Sequence, residues 1–362
     1  MIVIAFFSSP SLAQTVSDST ARVERLAEGV YAIIHDDALK SWPGGGTDWP
    51  HGNTGVIVGD NGVLVIDATF LPSRALADIA LIRRLTTKPV RFLVNTHWHG
   101  DHTHGNGVYR DSFPNIRIIS SRANRDWIRV NQARFQARST QPSYPSRELL
   151  ARLEEMLSRG SDSAGTPLTA TQRTLMQAIV AERRVDVGDM PNVKTVPPDS
   201  VFDGRLTIML GRRRLELRDR GHANSPSDVT VFHPVERVLF AGDIVVHPIP
   251  YAFASYPRPW VSVLRDLEST SAAFIVPGHG PVMRDVSYIR LVRELIEYVA
   301  TMAEPFVVRG ATADSARLRI DLTPWRRRFD PQLSPALTEM WEQSILNALI
   351  PRVFQCLQGV TC

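Results

Sequence analysis

Residues 95–106 read NTHWHGDHTHGN, and no other stretch limits so sharply what this chain can fold into. Four of the ten histidines fall here, with an aspartate, inside eight positions. Either this is a solvated polar loop that happens to be rich in histidine, or it is one wall of a metal site. The concentration favours the second reading. His97, His99, Asp101 and His102 have the form H-x-H-x-D-H. A tight loop with these spacings points His97 and His99 at one ion and turns Asp101 and His102 towards a neighbouring point. One ion does not easily use all four. Imidazole with a harder carboxylate partner suits zinc first, and iron or manganese second. Structural zinc sites usually offer cysteine and this segment has none, so an open, catalytic site is expected.

The surrounding text says how the loop is carried. VYAIIH, TGVIVGD and GVLVIDA are short β-branched runs separated by Gly, Asn and Asp, which reads as a β-meander over residues 23–67. SRALADIALIRRL follows with helical spacing and Ser73 as its expected N-cap, and then comes the strand VRFLVN. The histidine segment therefore follows a strand directly, where loops carry chemistry. Residues of about 121–190 change character to SRELLARLEEMLSRG and TATQRTLMQAIVAERR, an inserted helical segment. Strands resume with RLTIML, RRLELRD, DVTVFH and RVLFAGD, then a helix from about Trp260, the strand AAFIVPG, and a mostly helical stretch over 286–362.

Composition fits a globular chain: 362 residues, 43% hydrophobic, 22% charged, net charge +4. The clusters Arg212–Arg214 and Arg326–Arg328 lack interleaved aromatics and read as solvated surface, so no nucleic-acid partner is expected. The opening MIVIAFFSSPSLAQT reads as the end of a secretory signal over residues 1–13, with Ser11 and Ala13 before the cleavage point, and a periplasmic or secreted protein is expected. No other run is apolar for long enough to span a membrane. The only cysteines, Cys356 and Cys362, are read as an unpaired, fraying tail, although an oxidising compartment would permit a bridge.

Three later segments supply what a two-metal site still lacks. DRGHANSPSD presents His222 after a strand, LFAGD ends a strand at Asp243, and VPGHGP ends another at His279. Taken in this order with H-x-H-x-D-H and with Asp67 ending GVLVIDA, the chain resembles the metallo-β-lactamase superfamily over residues 20–285. The resemblance implies an α/β fold, an αββα sandwich with metals at one edge. It implies His97, His99 and His222 on one zinc, Asp101, His102 and His279 on a second, Asp243 bridging them, and Asp67 supporting the ligand loop from behind. It further implies two zinc ions per chain and hydrolysis of an ester, lactone, thioester or β-lactam bond in a small-molecule substrate by a metal-activated water, with Asp101 handling its proton.

Departures from individual subfamilies leave the substrate open. True metallo-β-lactamases generally carry Cys or Ser at the position of Asp243, and many carry a lysine three residues on, where this chain has Val246. Other readings are a persulfide dioxygenase holding one iron on His97, His222 and Asp243, a phosphodiesterase, and a metal-binding protein without catalysis. Two loops are expected to face substrate: a flap over residues 39–53 carrying Trp42 and Trp49, and residues 247–260 with Tyr251, Phe253, Tyr256 and Trp260. With the lysine missing, Arg258 is the expected stand-in for gripping a substrate carboxylate. His104 is expected to be solvated or to support a ligand, Trp98 to pack, His247 to be a plain loop residue, and His35, His51 and His233 to have no function.

Overall fold

The computed structural model describes residues 21–35, 51–360 and 362. The first sheet has the order β1 (Arg22–Ala27), β2 (Val30–Ile34), β3 (Thr54–Val58), β4 (Val63–Ile66), β5 (Val90–Val94), β6 (Arg117–Ser121), β7 (Ser200–Phe202). Its first four strands form the expected antiparallel meander, and β4 to β7 pair in parallel. The second sheet holds β8 (Arg205–Leu210), β9 (Arg213–Asp219), β10 (Val229–His233), β11 (Val238–Val246) and β12 (Phe274–His279). Only β11 and β12 run parallel in it.

Period-2 alternation stacks these sheets into layers. In β4, Leu64 and Ile66 point inward to meet Leu215, Leu217, Val231 and Phe240 of the second sheet, whereas Val63 and Val65 point outward. The outward side packs on α1 (Pro72–Leu85) through Ile79 and Ile82, and on Tyr109 of α3 (Asn106–Ser112), which follows the short α2 (Gly100–Thr103). An αββα sandwich results. The expected Ser73 cap is corrected. The helix begins at Pro72 with Leu71 as N-cap and no side-chain cap, because proline has no N–H to satisfy at that position. Ser73 instead donates its N–H to Asp189 Oδ2 at 2.7 Å.

Asp189 ends the inserted helical segment: α4 (Arg122–Arg138), α5 (Pro145–Arg159) and α6 (Ala170–Asp189). Leu153 and Met156 of α5 pack on Met176, Ile179 and Val180 of α6 as a small core of their own. Leu71, Phe135, Met190 and Val193 anchor the insertion beside the start of α1.

The outer face of the second sheet is covered by α7 (Pro257–Glu268), α8 (Ser287–Val308) and α12 (Ile350–Leu357), with the short helices α9 (Ala313–Arg317), α10 (Thr323–Phe329) and α11 (Pro335–Trp341) between the last two. The C-terminal stretch is thus a layer of the sandwich, sharing one core with Leu239, Ala241 and Ile275. Cys356, buried in α12, is joined to Cys362, which corrects the expected unpaired tail: packing of α12 on α8 holds one end of the bridge in place. Trp260 is also corrected. It is fully buried in this core and donates Nε1–H to the Ile244 carbonyl at 3.1 Å, so it faces no substrate. No described helix is long and apolar enough to cross a membrane. Replacing Trp260 with Ala should lower unfolding free energy by about 3–5 kcal/mol in a urea titration. A loss under about 1 kcal/mol contradicts this packing.

Candidate metal centre

Six of the seven expected ligands converge where the strand ends of the two sheets meet. His97, His99, Asp101 and His102 follow β5, Asp243 lies within β11, and His279 ends β12. His97 Nε2 and His99 Nδ1 are 2.9 Å apart, and they lie 3.3 and 3.7 Å from Asp243 Oδ2. On the other side, His102 Nε2 and His279 Nε2 are 3.2 Å apart, 3.3 and 3.4 Å from Asp243 Oδ1, and 3.5 and 3.2 Å from Asp101 Oδ2. Asp243 thus stands between two trios, His97, His99 and its own Oδ2 on one side and Asp101, His102 and His279 facing its Oδ1 on the other. Donors held at zinc–ligand distance on one tetrahedral ion stand about 3.3 Å from each other, a value inside the 2.9–3.7 Å range of the first group and the 3.2–3.5 Å range of the second.

The donors fit metal ions for a second reason. Asp243 is 1% exposed, and neither of its oxygens accepts a hydrogen bond, a condition that a charged group tolerates only beside compensating positive charge. Burial opposes protonation of His102, yet Asp101, Asp243 and Asp67 together hold its pKa well above the ordinary imidazole range. Burial likewise opposes the charge on His279, and Asp243 and Asp101 pull it up to about 9. The carboxylates therefore demand cations at this point, a demand that divalent ions also meet.

The supporting residues choose which ring nitrogen faces inward. Asp67 Oδ1 accepts from the Thr96 N–H at 2.8 Å, and its Oδ2 accepts from Thr96 Oγ1 at 2.7 Å and from His102 Nδ1 at 2.9 Å. With its hydroxyl proton directed to Asp67, Thr96 Oγ1 can accept from His97 Nδ1 at 3.0 Å. Both imidazoles are thereby left with Nε2 free to ligate. The loop itself is closed by a reciprocal amide pair, Asn95 with Asn106, at 3.0 and 2.9 Å, which bookends the histidine segment. Gly278 is required beside it, since a Cβ there would lie 1.9 Å from Asp243 Oδ1.

His222 is the expected ligand that the structure does not gather. Its exposed ring stacks on Tyr256 with centroids 4.0 Å apart, outside both trios. Tyr256 therefore faces His222, while Tyr251, mostly buried, lies against His279 at 5.0 Å. Phe253 is exposed. Arg258 is exposed on α7 and lines a groove with Val353 and Leu357, so it does not serve the metal edge. Trp42 and Trp49 lie outside the described residues, as do residues 1–20. Trp98 packs on Trp127 as expected.

Two contributors were not foreseen. Asn53 donates Nδ2 to the carbonyls of Pro277 and Gly280 at 3.0 and 2.8 Å, and its N–H to Gly278 O at 2.7 Å, pinning the His279 loop. Nothing in its local sequence distinguishes it. Asp228 is buried and accepts the Ser225 N–H at 2.7 Å; burial lifts its pKa to about 7, with Asp243 adding to the effect. A cavity of about 460 Å³ opens against Gly100 and Asp101, with His51 and His104 in its wall. Replacing Asp67 with Asn keeps an acceptor for Thr96 N–H but presents an amide to His102 Nδ1. Zinc affinity should then fall about 10–100-fold in a chelator competition. Wild-type affinity in that variant contradicts the orienting role.

The sequence matches the profile of the Metallo-beta-lactamase superfamily over residues 47–279. It is 22% identical over 275 residues to a linear primary-alkylsulfatase of a Pseudomonas species, across 70% of this chain and 47% of that protein. The chain thus spans about half the length of this curated relative. Similar solved structures include a metallo-beta-lactamase from Pontibacter korlensis, with a TM-score of 0.50 and 16% identity over 76% of this chain and 99% of that one. Another is the FIM-1 metallo-beta-lactamase from Pseudomonas aeruginosa in its mono-zinc form, at TM-score 0.51 and 14% identity over 77% and 96%. At such identities these structures speak to fold alone. Because the family profile spans more than half of the residues, the chain belongs to the metallo-beta-lactamase superfamily.

Proposed function

We propose that the chain is a metal-dependent hydrolase of an ester-type bond, holding two zinc ions on either side of Asp243. The observation that carries this reading is the buried Asp243 carboxylate, each of whose oxygens faces its own group of donors. His97, His99 and Asp243 would hold one ion, and Asp101, His102 and His279 the other, with Asp243 shared. When bound, the ions supply a water acidic enough to attack at neutral pH and a Lewis acid for the substrate oxygen. The protein's part is to hold and orient. Asp101 is the one carboxylate of the set that reaches the cavity, and it is placed to manage a proton at Oδ2. Tyr251 closes the site behind His279.

His222 belongs in this proposal as a third imidazole for the first ion. A ring stack is worth about 0.5–1.5 kcal/mol, far less than a zinc–imidazole bond, so the stack on Tyr256 is not strong enough to withhold His222 from a loaded centre. The persulfide dioxygenase reading needs His97, His222 and Asp243 as a complete set. The structure gathers His99, Asp101, His102 and His279 as well, which favours a two-ion hydrolase. The bonds cleaved fall among esters, lactones, thioesters and β-lactams, and the name of the alkylsulfatase relative adds sulfate monoesters.

A panel of these substrates, assayed on metal-analysed protein, tests the reading. Turnover of at least one, abolished by chelator and restored by zinc, is the expected result. One bound iron with dioxygen uptake on a persulfide overturns it. Replacing His222 with Ala should lower the zinc content from two ions towards one per chain while the protein stays folded. Two ions retained at wild-type affinity would remove His222 from the centre.

A further inference from the structure

The cavity beside Asp101 has a second wall, made by the inserted helix α4. Asn131, Arg134, Phe135 and Arg138 are spaced i, i+3, i+4 and i+7, which puts all four on one helical face, and all four line the cavity. Asn131 Nδ2 donates to the Trp98 carbonyl at 3.4 Å, tying that face to the loop between His97 and His99. Phe135 stands edge-on to Phe70 at 6.1 Å and to Tyr144 at 5.9 Å, so three aromatic rings share the cavity lining with the arginines.

Two features of this wall point to a ligand. Arg134 and Arg138 are like charges one turn apart, an arrangement that weakens a helix by a few tenths of a kcal/mol. Both are exposed, and neither has a carboxylate in ion-pair reach among the described residues, so both guanidinium groups are available at the cavity. The second feature is His104. It is 2% exposed, its ring packs on Phe135 with centroids 4.2 Å apart and lines the cavity, yet neither ring nitrogen has a hydrogen-bond partner within the protein. A buried imidazole with no partner inside the protein, at a cavity wall, calls for one in the cavity, a water or a ligand group. Arginine forks match the oxygens of sulfate and carboxylate.

We propose that this cavity is the subsite for an anionic group that the substrate carries beside its scissile bond, with Arg134 and Arg138 gripping its oxygens. Phe70, Phe135 and Tyr144 pack the apolar chain attached to it, so the substrate is an anionic amphiphile. The inserted helices then set specificity, while the strand-end residues hold the metal. This replaces Arg258 as the group that meets substrate charge. The occupant's identity as substrate rests on the hydrolase reading, but its binding does not.

The test is calorimetric binding to the zinc-loaded full chain, below micelle-forming concentrations, of three probes with one chain length: 1-decanesulfonate, decanoate and 1-decanol. At least one anion should bind on the order of tenfold or more tighter than the alcohol, and the preferred one identifies the head group. The double variant Arg134→Ala/Arg138→Ala should reduce that anion to the level of the alcohol with an unchanged thermal midpoint. Arg134→Lys/Arg138→Lys should retain part of the preference, since the charge survives and the fork does not. Equal binding of anion and alcohol to the wild type overturns the proposal, as does wild-type anion binding by the alanine variant. No turnover is involved. An arginine-dependent anion site in a protein that hydrolyses nothing would sink the hydrolase reading alone, and hydrolysis without that dependence would sink the subsite alone.

Discussion

A carboxylate that is 1% exposed and accepts no hydrogen bond is costly to keep charged, and every element reaching the site meets at this group, Asp243. Its oxygens are met by His97 and His99 on one side and by His102 and His279 on the other, at 3.3 to 3.7 Å. Positive charge must sit between these atoms for the arrangement to be stable. The convergence of four imidazoles and a second carboxylate on one buried anion is thus a constraint that the fold serves.

The sandwich serves it through its parallel strand pairs. β4 and β5 end side by side in the first sheet, as do β11 and β12 in the second, so Asp67, the histidine loop, Asp243 and His279 all emerge at one edge. Loops there are held from behind by Asp67, Thr96, Asn95 with Asn106, and Asn53. The outer helical layers cover both sheets, and Trp260 ties α7 to the strand just past Asp243. The insertion α4 to α6 is attached beside α1, through Phe135 and Leu71, the Asp189 bond to Ser73 and the Arg74 contacts with Glu182 and Asp186, and at the histidine loop, through Asn124 and Asn131 to the Thr96 and Trp98 carbonyls, so α4 borders the metal edge. On the proposed reading, metal binding and substrate recognition fall to separate parts of one chain.

Legibility in the sequence follows the range of the interactions. The histidine segment, Asp67, Asp243 and His279 could be read because each stands at the end of a β-branched run, where strand identity and loop position are both local signals. The layers followed from alternation such as Leu64 and Ile66 inward against Val63 and Val65 outward. What could not be read depended on distant partners. Trp260 was indistinguishable from a substrate-facing ring until α8 and α12 covered it. The Cys356 to Cys362 bridge depended on α12 being packed, and Ser73 lost its capping role to the proline before it. His222 carries the local signature of a ligand, but its ring lies on Tyr256, a neighbour 34 residues on that spacing alone does not disclose. Arg134 and Arg138 carried no signal of their own in the sequence, because the cavity they line is completed by residues from five other segments.

Crystals grown with zinc and measured on both sides of the zinc absorption edge show whether two ions share Asp243. Two anomalous peaks are expected, one on each side of the Asp243 carboxylate, the first against His97 and His99 and the second against Asp101, His102 and His279. A single peak that does not touch Asp243, or no peak at this edge of the sandwich, would contradict such a shared site.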